Sequence, residues 1–361
     1  MSATATTTAG ITNSLTTGRL PKWAPWAVLG VSLVIFIAIF AIVGAANGTD
    51  INFPAAIFLA VVVFNILLFV LAYLVEGIRQ AKNRLATSLV LTAFLIALLP
   101  LVSLLSTVLL NGLARFDITF FSNSMRNVVG EGGGALHAIV GTLLITGMAA
   151  LISVPVGLLT SIYLVEYGRG NLARTITFFV DVMTGIPSIV AGLFAFAFFA
   201  LVLGDEGIRF GFGGSIALSL LMIPVVVRSS EEMLKLVPNE LREASYALGV
   251  PKWLTILKIV IPTSIAGITT GVTLAISRVI GETAPLLIIS GFTASMNYDL
   301  FNDRMMSLPV FLYTQYANPG SDIGPYLERA WAGALTLILI VMLLNLIARL
   351  IARFFSPKLG R

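Results

Sequence analysis

Runs of apolar residues long enough to cross a lipid bilayer dominate this chain. A bilayer core about 30 Å thick is spanned by roughly 20 residues of helix. Inside it, every backbone N–H and C=O must find a partner within the protein. Eight spans are expected, at about 24–46, 54–75, 87–110, 136–165, 174–203, 214–228, 264–291 and 331–354. The two longest, 136–165 and 174–203, must tilt, kink or project beyond the bilayer. Each holds a proline, Pro155 and Pro187, and prolines are tolerated in membrane helices. Charged residues make up only 11% of the chain, against about 25% in soluble proteins. The fold class is therefore all-α and polytopic, with the lipid bilayer as its solvent.

Basic residues orient the spans. With the N-terminus in the cytoplasm, Arg79, Lys82, Arg84, Arg169, Arg174, Lys235, Arg242, Lys252, Arg349 and Arg353 fall inside, with others. Arg115, Arg126, Arg209, Arg304 and Arg329 fall outside. The bias is about three to one and obeys the positive-inside rule. Both termini are then cytoplasmic. Residues 1–23, rich in Ser, Thr and Ala, are expected to be a disordered tail, and 355–361 a C-terminal tail. The first span is too long for a typical signal-peptide core, which favours its retention. The pair 24–75 is set off by the basic segment EGIRQAKNR as an accessory module.

The basic residues are dispersed between spans, so no nucleic-acid surface is expected. There is no cysteine, which removes thiolate metal sites and thiol catalysis. No Walker A, HExxH or GxSxG motif and no paired histidine occurs. His137, the only histidine, is expected to be structural. The run Gly130, Gly132-Gly133-Gly134 lacks the Lys-Ser/Thr of a phosphate loop. It is read as a flexible approach to the next helix. The outer segment 292–330 is large enough to be a binding surface, or it is only a solvated loop.

Asn239 to Pro262 is the most polar ordered-looking stretch between two spans. It reads as two short helices joined at a bend. Asn239 is placed as N-cap, with Glu240 and Glu243 in the first turn. Leu241, Ala244, Ala247 and Leu248 make one small apolar face. Gly249 stops the first helix and Pro251 starts the second. The sequence Glu243-Ala244-Ser245, with Gly249 four residues on and Ile261-Pro262 closing the loop, resembles the EAA loop of ABC-importer permeases. In that family the loop docks on an ATP-binding subunit. Ser245 stands where a second alanine is usual.

Arg278 and Glu282 lie within a span, four residues apart, which on one helix would let them pair. Buried ionisable groups of this kind point to a transport path, or to a structural ion pair. Pro285 can open the turn before it, which leaves Arg278, Glu282 and Thr283 as an anion contact. Arginine suits oxyanions because its planar fork donates two parallel hydrogen bonds. Arg228 either faces the same path or anchors the cytoplasmic end of its span. Asp181 either lies near the cytoplasmic mouth or pairs with an arginine.

Arg278 to Leu287, ending in GETAPLL, is similar to the phosphate-specific ABC-importer permeases of the PstA type. So are Ile223 to Pro238, Gly185 to Gly192 and Ala138 to Thr142. The likeness covers about 87–354 and implies a six-span type I core with coupling loop 229–262, extended by two N-terminal helices. It implies a second related permease (PstC type), two ATP-binding subunits (PstB type) and an extracytoplasmic phosphate-binding protein (PstS type). ATP and Mg would be bound by the ATPase partners, and this chain would hold no cofactor and catalyse nothing. Arg278, Glu282, Thr283 and Arg228 would belong to the phosphate path, and Glu243, Ala244, Ser245, Gly249 and Pro251 to coupling. A permease for sulfate or molybdate is the alternative reading. A stand-alone secondary transporter would need an ion-coupling site and usually internal repeats.

Overall fold

The computed structural model describes residues 18, 20–320 and 322–355. Residues 1–17, 19 and 356–361 of the two expected tails lie outside the described residues. Among the described residues every regular element is helical. The chain divides into two compact units, residues 1–105 and 106–361.

The first unit opens with a hairpin, α1 (Ala24–Asn47) and α2 (Phe53–Glu76). Gly48, at φ +65°, ends α1 in the left-handed conformation. Asn52 caps α2 through Oδ1, which accepts the Ala55 N–H. Ala56, Ala60 and Ala72 are fully buried on α2, and such small residues let membrane helices approach closely. The helix α3 (Ile78–Gly112) begins in this unit. Its Arg84 clamps the Glu76 carboxylate at 2.5 and 2.7 Å, and Leu20 N–H donates to the same group. Ser88 Oγ donates to Asn65 Oδ1, linking α3 to α2.

The second unit continues through the short helix α4 (Ile118–Ser122) to its core pair, α5 (Leu136–Ile162) and α8 (Gly211–Lys235). Buried serines join this pair. Ser215 Oγ donates to Ile145 O at 3.0 Å and Ser219 Oγ to Ala149 O at 3.4 Å. Gly157 lies against Val226, where a Cβ would sit 2.8 Å from the valine Cβ. Lipid tails are as apolar as leucine, so close packing and hydroxyl bonds hold such helices together. Pro155 is accommodated inside α5 without ending it.

Two expected spans are broken. Residues 174–203 form α6 (Asn171–Thr184) and α7 (Ser188–Leu203), bent by 109°. Pro187 lacks an N–H and pushes the residue before it out of helical geometry, which ends α6 within the Gly185-Ile186 step. Residues 264–291 form α11 (Ile261–Val279) and α12 (Ala284–Ile289), with Ile280–Thr283 non-helical between them. Among the described residues, seven helices are long and apolar enough to cross a membrane, or eight with the bent pair taken as one span.

The two breaks meet. A Cβ on Gly192 of α7 would lie 2.5 Å from Pro285 Cα of α12, and backbone cannot swing aside. Gly192→Ala is therefore expected to cost about 1–3 kcal/mol by overpacking. The check is thermal unfolding of the purified protein. An unchanged midpoint would mean that the α7–α12 contact is looser than drawn.

The unit closes with α13 (Leu308–Ala317) and α14 (Ile323–Phe355). Arg329 of α14 is fully buried. Its Nε donates to Gln315 Oε1, and its Nη1 donates to Gly130 O and Gly132 O at 2.7 and 3.0 Å. Arg115 Nη2 donates to Gly133 O. The glycine run is thus pinned by two arginines, where a flexible approach was expected. Its φ angles of +79°, +89° and +66° at Gly130, Gly132 and Gly133 turn the chain in ways other residues resist. His137 is buried edge-on against Phe311, in keeping with a structural residue.

Candidate functional site

The loop resembling an EAA loop folds as α9 (Asn239–Ala247) and α10 (Lys252–Thr255), which continues through a π-turn, Ile256–Val260, into α11. The α9 N-cap is Pro238, one residue earlier than expected. Asn239 is already helical, and its Oδ1 instead accepts from Arg242 Nη1 at 3.3 Å. Pro251 is the N-cap of α10 and does not lie in its first turn. Gly249 makes the bend at φ +76°.

This loop is held from below. Arg242 Nε and Nη2 reach Glu166 Oε1 at 3.0 and 2.9 Å, and the Glu166 side chain is only 4% exposed. The same guanidinium donates to Val237 O and Leu234 O, at the end of α8. Lys252 Nζ donates to Glu166 O and lies 4.7 Å from the Tyr167 ring centre. Glu166 and Tyr167 belong to a second π-turn, Tyr163–Tyr167, at the end of α5. Removing one member of a buried, bonded ion pair is strongly destabilising, so Arg242 and Glu166 set the angle of α9. Ser245 is buried, and its hydroxyl shares a 2.8 Å bond with Thr255. An alanine there could not make that bond. Glu243, Ala244, Ala247 and Gly249 face outward with Leu241, Tyr246 and Leu248, the last 83% exposed. The uncovered face is therefore mostly apolar, with Glu243 on it, and is rigidly presented.

The helix break forms the second locus. Gly267 packs on Met233, and Gly271 on Ser229, so α8 and α11 run antiparallel. That register sets Arg278 level with about Met222, close to the middle of α8. At 1.5 Å per residue it stands about 9 Å along the axis from Arg228. Arg278 is exposed in the last turn of α11 and has no hydrogen bond or ion pair among the described residues. Glu282 has left the helix, because Pro285 and Gly281 open the turn; its N–H caps Val279 O. The expected Arg278–Glu282 pair on one helix face is therefore not formed. Thr283 is the N-cap of α12, and its carbonyl accepts from Leu287.

Arg228 is neutralised locally. Its Nη2 donates to Asp181 of α6, and its Nη1 to Glu231 Oε2 at 2.9 Å. Lys235 joins Glu231 at 2.6 Å. This settles Asp181 as an arginine partner. It places Arg228 in a four-residue charge cluster, without direct contact to Arg278, Glu282 or Thr283. Sequence reasoning missed Glu166, Arg242 and Glu231, whose partners lie up to 86 residues away.

The pattern for binding-protein-dependent transport system inner membrane components matches residues 153–361. The chain belongs to that family. It is 49% identical over 288 residues to the phosphate transport system permease protein PstA 1 of Mycobacterium tuberculosis, covering 78% of this chain and 91% of that protein. It is 39% identical over 281 residues to PstA of Pasteurella multocida, covering 78% and 96%. Its fold is similar to a chain of a bacterial alginate ABC transporter solved with an alginate-bound periplasmic protein. There the TM-score is 0.55 at 13% identity, over 78% of this chain and 99% of that one. This family member is thus a multi-pass membrane permease component of a multi-subunit ABC importer, with a helical type of core shared by such permeases.

Proposed function

We propose that this chain is the PstA-type permease subunit of an ATP-driven inorganic phosphate importer and lines half of its translocation path. One observation carries the reading: Arg278, uncovered and without a counter-ion among the described residues, stands level with the middle of α8 beside a helix break. A charge at that depth is costly unless it faces water or another subunit. Broken helices at the midplane are where transporters hold their substrates. Phosphate supplies the missing negative charge and accepts the arginine's parallel donors. The relatives named for phosphate transport support that anion over sulfate or molybdate.

In this reading Arg278 binds phosphate, and Glu282 and Thr283 line the opened turn. Arg228, held by Asp181 and Glu231, lies farther along the path toward the cytoplasm. Glu243, Ala244 and Gly249 meet the ATPase, while Ser245 and Pro251 shape the loop. Residues 87–354 form the core, and 24–75 an accessory pair. The partners are a PstC-type permease, two PstB-type ATP-binding subunits carrying ATP and Mg, and a PstS-type binding protein. The chain itself is non-catalytic, with both termini cytoplasmic.

Purification of the tagged chain from its native membrane is expected to recover the second permease and the ATP-binding subunit in fixed proportion. Recovery of the chain alone, in a state that still transports, would overturn the reading.

A further inference from the structure

At the end of α8 remote from the coupling loop lies a polar cavity of about 320 Å³. The α7–α8 connection and the segment after α12 line it. Arg209 and Arg304 flank it, with Asp205, Asn302 and Asp303 between them. Both arginines are exposed, and neither has an ion-pair partner among the described residues. Arg209 Nε is committed to Ile288 O at 3.2 Å, which fixes the fork and leaves its terminal nitrogens unbonded. Both side chains pass over Gly291, where a Cβ would lie 2.9 Å from Arg209 Cδ and 3.3 Å from Arg304 Cδ. Gly291 also sits at φ +74°, so glycine suits the site on both counts.

The wall is rigid. Asn297 Nδ2 donates to Asn302 O and Arg304 O at 2.9 and 3.1 Å. Asp299 accepts from Asn302 Nδ2 and the Phe301 N–H. These bonds to Asp299 hold its carboxyl below the usual range, the Asn302 bond foremost. Asp303 is held at φ +59°. Two guanidinium groups with no direct ion pair among the described residues, set over a fixed loop, make a cradle for an oxyanion.

The two carboxylates narrow the class. Asp205 Oδ1 already accepts the Gly207 N–H, whereas the Asp303 carboxylate has no bonded partner among the described residues. An ionised carboxylate only accepts hydrogen bonds. An anion beside it must bring its own O–H. Inorganic phosphate keeps a proton at neutral pH, and sulfate keeps none.

We propose that this pocket is an outer phosphate site, which receives the anion before it reaches Arg278. The inference rests on the phosphate-importer reading above. Arg209 and Arg304 hold the anionic oxygens, and Asp303 accepts the remaining O–H and disfavours sulfate. Exposed cations at the entrance also raise the local concentration of anions.

The test uses the complete complex in phosphatidylcholine nanodiscs, with radiolabelled inorganic phosphate and no binding protein. Arg278→Gln provides the background, so that residual binding reports the outer pocket. Adding Arg209→Gln and Arg304→Gln is expected to weaken that binding about tenfold or more. Asp303→Asn, which keeps the backbone geometry accessible, is expected to reduce the preference for phosphate over sulfate.

Unchanged phosphate binding in the double variant overturns the site. So does weaker association with the binding protein while phosphate binding stays intact, because the face is then a protein-docking surface. Loss of the phosphate signal when phosphatidylglycerol replaces phosphatidylcholine assigns the pocket to a lipid headgroup and also overturns it. Wild-type uptake of phosphate, measured alongside with the binding protein present, separates the cases. If wild type fails to take up phosphate, the importer reading falls. If it succeeds and the variants behave as wild type, only the outer site falls.

Discussion

Arg278→Gln is expected to lower phosphate uptake about a hundredfold or more, since in the proposed path it would remove a pair of charge-assisted hydrogen bonds to the anion. The complex should still assemble, because Arg278 bonds to nothing among the described residues. A structural arginine behaves differently: Arg329 is fully buried and bonded to Gln315, Gly130 and Gly132, so its loss would unseat a loop. Uptake assays on equal amounts of purified complex separate the two roles. Arg278→Lys, which keeps charge but not the fork, should fall between wild type and glutamine. Normal uptake by the glutamine variant would remove Arg278 from the path.

Gly249→Val is expected to separate ATP hydrolysis from transport. Nothing lies within 4 Å of a Cβ at Gly249, so the added side chain does not collide. Its effect is on the backbone. A β-branched residue at φ +76° is strained by about 1–2 kcal/mol or more, and the bend relaxes by changing the angle between α9 and α10. Phosphate moved per ATP hydrolysed should drop about tenfold for a shift of that size. Gly249→Asn should retain coupling, because asparagine tolerates the left-handed region. Equal coupling in the valine variant would mean that the bend does not set the docking geometry.

Helix existence was legible because apolar length alone forces it. Where the helices break was only half legible. Pro187 and Pro285 marked the positions, but a proline inside α5, Pro155, leaves its helix continuous. The difference lies in tertiary contacts: Gly192 and Pro285 pack the two breaks against each other, 93 residues apart in sequence. The spacing of Arg278 and Glu282 suggested an ion pair, which assumed an unbroken helix between them. The glycine run looked mobile because Arg329, which pins Gly130 and Gly132, is almost 200 residues away.

The coupling loop was read more fully. Its two helices, its bend at Gly249 and its apolar outer face follow from local spacing. What local spacing could not supply is the underside. Glu166 lies in an apolar run and Arg242 in a polar loop, and nothing in either neighbourhood announces the partner. That pair ties the end of α5 to α9. From α10 the helix continues through the π-turn and α11, from Lys252 to Val279, to the turn that carries Arg278. In the proposed importer, motion of the loop would reach Arg278 along this one helical element.

The most direct test reconstitutes the complex with its binding protein in liposomes and follows phosphate accumulation under two energy sources. ATP on the coupling-loop side is expected to drive uptake, and the Arg278→Gln complex to hydrolyse ATP without accumulating phosphate. Phosphate accumulation by this chain under a proton gradient, with no ATP and no ATP-binding subunit present, would contradict the whole assignment.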